Sequence, residues 1–388
     1  MNDIPPYPLY NRTYSLYRLS PLHHGDTPLL ADRILRTHAK RLREQLKGDN
    51  VRGVQVDFAS ADDTARLGPL EECSWDLLGD EDAWIDRHRQ LHDPEASQLP
   101  SPTEPRGVEV TLEYETQSYN ALLLRDPHNT TAPDGFSSLP LLLVKMPGPV
   151  RNVFLQYLRT SFDAHVAPLR LPSTFIVGSI ETYFGHLSAS TSTQTIQDFV
   201  RQLSVQLAFA STTTLLKHID ITIAAADVPG FVARGRHARG KPFTAALSSY
   251  LAKHLALDIT NPKVQISRVS CNSFHLATER LKLAAPDTLA DTSFSDEGGA
   301  SQDASAGQLA VEEFITSLVR EAAGSGRFLP DDLEASPRDG TPSSTASSRA
   351  TRKKRAASSA AASNANKQAR LKSKTHDQND AEDEIDDL

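Results

Sequence analysis

Side chains able to do chemistry are few in this 388-residue chain, and they are scattered. His23-His24-Gly25-Asp26 brings imidazole and carboxylate together, the ingredients of a metal or acid–base site. Adjacent side chains do not generally converge on one ion, so the cluster reads as a solvated turn that ends in a helix cap. Cys271 and His275 could make a thiolate–imidazole pair. On one strand, i and i+4 share a face but stand roughly 13 Å apart at the usual rise. Nucleophile activation needs hydrogen-bond contact, so a packed thiol and a surface histidine are expected instead. No dinucleotide-type Gly-x-Gly-x-x-Gly, phosphate-loop, His-Glu-x-x-His or Gly-x-Ser-x-Gly pattern occurs. No cofactor is expected. Catalytic groups can converge from distant positions, which keeps an enzyme with an unrecognised site as an alternative.

The basic segments offer a different chemistry. Arg234, Arg236, Arg239 and Lys241 alternate with Gly235 and Gly240, and Gly230 precedes them. Guanidinium groups fork onto phosphate oxygens, and glycine lets a backbone approach closely. A phosphate-contacting loop is expected over Pro229 to Lys241, against the plainer reading of a solvated linker. An independent DNA-binding module built on this loop is a further alternative. The helix around Arg33 to Lys47 carries Arg33, Arg36, Lys40, Arg41, Arg43 and Lys47 and has the same two readings, phosphate contact or a solvated basic face, of which a single amphipathic helix favours the second. Near the end, Arg352-Lys353-Lys354-Arg355 and the block Lys367, Arg370, Lys372 and Lys374 flank an Ala/Ser spacer. That spacing matches a bipartite nuclear import signal. Ser336-Pro337 and Thr341-Pro342 resemble proline-directed phosphorylation sites.

Composition sets the frame for these segments. Hydrophobic residues make up 39%, too few for every part of the chain to enter a core. A net charge of −8 confines any nucleic-acid surface to local patches. Cys73 and Cys271 stand far apart without a Cys-x-x-Cys motif, which suits a reducing compartment. The opening MNDIPPYPLY lacks a secretory pattern, and no apolar run approaches the roughly 18 residues of a membrane span. No membrane partner is expected, and the sequons at Asn11 and Asn129 read as chance matches.

Hydrophobic periodicity places the elements. A strand is expected over Tyr10 to Leu19. A helix follows from a cap at Asp26 or Thr27 to a stop at Gly48, with Leu30, Ile34, Leu42 and Leu46 on its apolar face. Val54, Val56 and Phe58 suggest another strand. Residues 59–106 are acidic and lose the periodic pattern, with a short helical or irregular piece bearing Trp75 and Trp84 docked on the core and flanked by loops. Strands are expected at Val108–Tyr114, Leu122–Leu124 and Leu139–Val144, and helices after Pro149 and over Ser173–His186. Leu203–Phe209 and Ile219–Ile223 make a hairpin around Ser211–Thr214. A helix with Leu247 and Leu251 precedes strands at Val264–Val269 and Phe274–Leu283. An amphipathic helix uses Leu309, Phe314, Ile315, Leu318 and Val319. The expected organisation is a strand–helix–strand part at 1–58, an insertion at 59–106, the main core at 107–285, a linker at 286–307, a helix at 308–323 and a disordered tail at 324–388. Fold class is α+β: one large curved antiparallel or mixed β-sheet with helices packed on it.

Two phrases carry a resemblance. One is Pro8-Leu9-Tyr10-Asn11-Arg12-Thr13-Tyr14-Ser15-Leu16-Tyr17-Arg18-Leu19-Ser20-Pro21-Leu22. The other is Leu216-Lys217-His218-Ile219-Asp220-Ile221-Thr222-Ile223 with the helix and strands after it. Together they resemble fungal members of the CENP-L family, inner-kinetochore subunits of the Sim4 complex, over about residues 8–285. The resemblance implies a non-enzymatic scaffold with a large curved sheet that pairs with a CENP-N-like subunit. It implies a place at the centromere in the nucleus, in the constitutive centromere-associated network that links CENP-A chromatin to the kinetochore for chromosome segregation. Other inner-kinetochore proteins would be partners, and centromeric DNA could be met through basic loops.

Overall fold

Alternating apolar residues set the layers of the structure. This computed structural model describes residues 5–51, 68–91, 105–126, 132–189, 202–209, 217–235, 238, 241–261, 263–285 and 300–324. The chain divides into two units, Met1–Pro330 and Asp331–Leu388, and all described residues belong to the first. In chain order the strands are β1 (Thr13–Leu19), β2 (Leu22–His23), β3 (Leu70–Leu78), β4 (Gly107–Tyr114), β5 (Ser118–Leu124), β6 (Phe136–Ser137), β7 (Leu141–Lys145), β8 (Val166–Pro168), β9 (Gln202–Phe209), β10 (His218–Ala224), β11 (Val264–Ser270), β12 (Phe274–Ala277) and β13 (Arg280–Leu283). The helices are α1 (Asp32–Val51), α2 (Glu81–Leu91), α3 (Gly148–Phe162), α4 (Ser173–Ala189), α5 (Val228–Gly235), α6 (Pro242–Leu255) and α7 (Ala300–Ala323).

An 11-stranded sheet runs β10-β9-β11-β12-β13-β1-β7-β5-β4-β3, with β8 attached to β1. Its strand pairs are antiparallel, so the α+β sheet expected from the pattern is present. The N-terminal strand joins the halves: β1 pairs with β13 on one side and β7 on the other. Leu141, Leu143, Leu122 and Leu124 enter one core, while Leu142, Val144, Ala121 and Leu123 enter the core on the opposite face. Burial on both faces explains why these strands read as continuous apolar runs. The first core is closed by α4, α5, α6 and α7, and the second by α1 and α3. Among the described residues, only the first face is covered over β9 to β13. Leu203, Val205 and Leu207 are fully buried there, and Gln202, Ser204 and Gln206 alternate with them.

Several expectations give way to tertiary context. Leu70–Leu78, in the stretch expected to hold a short helical or irregular piece, is a nine-residue strand whose Trp75 is buried, while Trp84 lies on helix α2. A bulge between Leu70 and Glu72, with Glu71, Glu72 and Asp76 interrupting the pattern, hid its alternation. Helix α1 begins at Asp32 rather than Asp26, and it continues past Gly48 to Val51. Glycine inside a helix costs only about 1 kcal/mol, which packing offsets. The α1 core face is Leu35, Ala39, Leu42 and Leu46, and Ile34 is only half-buried. The Phe274–Leu283 run is a hairpin of β12 and β13. Helix α7 starts at Ala300, ahead of its first apolar-face residue. Val54–Phe58 and everything beyond Gly324 lie outside the described residues.

Candidate interaction surfaces

Helix α5 occupies the start of the glycine- and arginine-rich segment that was expected to be a loop. Val228 and Phe231, one helical turn apart, are buried in the first core, and that burial holds the turn helical. The exposed Arg234 guanidinium stacks over the Phe231 ring at 4.7 Å. Gly235 then meets α6 so closely that a Cβ would fall 1.4 Å from the Pro242 carbonyl oxygen. Lys241 is the exposed N-cap of α6 and offers no side-chain cap. Glu181 of α4 supplies it instead, accepting from the Thr244 N–H at 2.6 Å and the Phe243 N–H at 3.3 Å. Arg234 and Lys241 thus flank one tight helix–helix corner. Arg236 and Arg239 lie outside the described residues. Tyr250, 41% exposed, stacks beside Phe231 and His254 on the same helix pair.

The sheet ends differently at its two edges. Helix α1 packs against β3, and the Arg43 side chain donates to the Glu71 carbonyl. At the other end, β10 pairs with β9 and with no other described strand. The Phe209 N–H bonds the Lys217 carbonyl, which makes their register position a hydrogen-bonded pair. Counting by twos, Ile219, Ile221 and Ile223 direct their backbone groups to β9, and those of His218, Asp220 and Thr222 point away from it. No other described strand takes them up. Ile219 and Ile221 are only half-buried although their β9 partners Leu207 and Val205 are fully buried, so the apolar layer is also incomplete at this edge. Sequence periodicity located β10 but carried no signal that it would be an edge.

The titratable clusters do not assemble a reactive centre. His23 belongs to β2 and packs on Phe136, while the His24 ring is bonded to the Gly25 carbonyl. Among the described residues no group of three His, Cys, Asp or Glu side chains is placed to hold a metal. Cys271 and His275 are not on one strand as expected: the chain turns between them, and His275 pairs with Ser270 across the hairpin. Burial pushes the Cys271 thiol up to about 11 and the Cys73 thiol up to about 12, so both stay protonated near neutral pH. His38 is buried beside Tyr157, Trp75 and Phe162, and burial together with Arg41 lowers its pKa to about 4. Among the described residues no helix is long and apolar enough to cross a membrane.

The family model for centromere protein L, CENP-L, matches residues 8–323, from the approach to β1 to the last residue of α7. The chain belongs to the CENP-L family. The match extends past the residue 285 limit suggested by the two sequence phrases, so α7 is part of the family fold. CENP-L is a family of kinetochore structural subunits, which gives the chain a centromere- and kinetochore-related role and points to the nucleus. A search of curated proteins returns no match.

Proposed function

We propose that this CENP-L family protein is a non-enzymatic scaffold of the inner kinetochore that pairs one-to-one with a CENP-N-like subunit through the β10 edge. The open backbone of His218, Asp220 and Thr222 is the observation that carries this reading. An unpaired edge is a template for strand addition, and the half-covered Ile219 and Ile221 beside it offer apolar area to the same partner. In this role the pair helps to link CENP-A chromatin to the kinetochore during chromosome segregation, as part of a Sim4-type complex like that of the fungal family members this chain resembles. Arg234, Arg236, Arg239 and Lys241 then serve as phosphate contacts of the assembled pair.

Register parity gives a direct test. Thr222→Pro removes an outward N–H and no bond to β9, whereas Ile221→Pro removes a ladder bond. Co-expression of the wild-type chain with a CENP-N-like subunit is expected to yield a soluble one-to-one complex. Thr222→Pro is expected to keep the thermal midpoint within a few degrees and lose the complex; Ile221→Pro is expected to lower stability. A Thr222→Pro chain that still pairs would remove β10 from the interface. A wild-type monomer that ignores the subunit would remove the pairing itself.

A further inference from the structure

At the opposite end of the sheet from β10, helix α1 presents a charged surface that the pairing does not use. Its buried side is Leu35, Ala39, Leu42 and Leu46. At 100° per residue, Arg33, Arg36, Lys40 and Lys47 fall within an arc of about 60° on the far side. All of them are exposed. The helical rise spreads them over roughly 21 Å. None of the ion pairs among the described residues involves them. Glu44 is the carboxylate that interrupts the stripe, and Asp32 stands at its start.

From this surface we infer that α1 binds the phosphate backbone of duplex nucleic acid. Unpaired fixed cations, three donors or more on each, at intervals along one line suit a regularly repeating anion and carry no sequence information. A protein partner fits less well. Protein interfaces bury an apolar or aromatic centre, and among the described residues the exposed large hydrophobic side chains Phe136, Tyr250, Leu255 and Leu309 lie outside α1. Packing on β3 and the Arg43 bond to Glu71 fix the helix to the sheet, so the stripe is presented without prior ordering. Because β3 and β10 terminate opposite ends of the sheet, a strand-adding partner and a duplex can be held at once.

The test uses the full chain without a partner and a mixed-sequence duplex DNA, with affinity read by fluorescence anisotropy at several salt concentrations. Replacing Arg33, Arg36, Lys40 and Lys47 with Gln is expected to reduce the slope of log affinity against log salt by about 0.9 for each phosphate no longer neutralised, or about 3 to 4 in all. Arg33→Lys with Arg36→Lys keeps the charge and is expected to keep the slope. Circular dichroism melts confirm that the exposed substitutions leave the fold intact. Gln at Arg234, Arg236, Arg239 and Lys241 is expected to add a separate loss, which distinguishes α1 from the helix corner. Thr222→Pro is expected to bind DNA as the wild type does, so failure of the β10 pairing leaves this result standing. An unchanged slope in the α1 variant overturns the inference, as does a wild-type chain with no measurable DNA affinity. Preferential capture of a polyglutamate peptide over DNA by the same residues would assign α1 to an acidic protein segment and overturn it too.

Discussion

His38 is expected to make the fold lose stability as pH falls below neutrality. The residue lies on the buried side of α1, 8% exposed, with Nδ1 2.8 Å from the Tyr157 hydroxyl and its ring 4.5 Å from that of Phe162. In the folded chain a neutral imidazole is hydrogen-bonded through Nδ1 to the Tyr157 hydroxyl, and burial and then Arg41 depress its pKa to about 4 from 6.5. Between those values the unfolded chain binds a proton that the folded chain refuses. The stabilisation is therefore present above pH 6.5 and is lost as pH falls through the folded value. At 1.36 kcal/mol per unit the whole loss is about 3 kcal/mol, of which about 2 kcal/mol has gone by pH 5. Urea unfolding followed by tryptophan fluorescence measures it directly, because Trp75 stacks beside His38 at 5.8 Å. His38→Gln can still hydrogen-bond the Tyr157 hydroxyl and never charges. Its stability at pH 7.5 is expected to be lower than wild type, but its drop to pH 5 smaller by about 2 kcal/mol. Glu109 works in the other direction: its burial raises the carboxyl, so its contribution is lost as pH rises. It is common to both proteins and cancels in the comparison. Equal pH dependence in wild type and His38→Gln would refute the placement of a neutral His38 in the core.

Other consequences are equally direct. Gly107→Ala would put a Cβ 2.0 Å from the Leu123 carbonyl oxygen, so the β4–β5 ladder must shift; a loss of about 1–3 kcal/mol or more in urea is expected. Gly178→Ala, in helix α4 with nothing within 4 Å of the new Cβ, is expected to stabilise by about 0.5–1 kcal/mol in the same assay. Removing the α6 cap with Glu181→Ala is expected to cost about 1 kcal/mol and to loosen the corner around Lys241, seen as faster amide exchange at Phe243 and Thr244. Replacing Lys353, Lys354, Arg355, Arg370 and Lys372 with Ala is expected to abolish nuclear accumulation of a tagged chain expressed without its partner; unchanged nuclear signal would exclude the tail as the import signal.

The sequence alone determined the elements whose side chains repeat at one clean period. Leu203–Phe209 and Ile219–Ile223 alternate strictly because one face of that half-sheet meets helices and the other is polar, and they appear as the β9–β10 pair. The same local patterning announced α3, α4 and α6 and a large antiparallel or mixed sheet of an α+β fold, and two sequence phrases pointed to the CENP-L family. Tertiary structure decided what depends on distant residues. Strand β3 exists because β4 pairs with it and α1 covers its Trp75 face, so its bulged, acidic sequence needed no regular alternation. Helix α5 takes up the start of the glycine- and arginine-rich segment because Phe231 finds Phe243 and Tyr250 beyond the corner. The candidate surfaces depend on the same long-range order. Whether a strand is an edge, and which of its backbone groups face outward, follows from the order in which strands pair. That order is a property of chain topology, and the composition of β10 does not contain it.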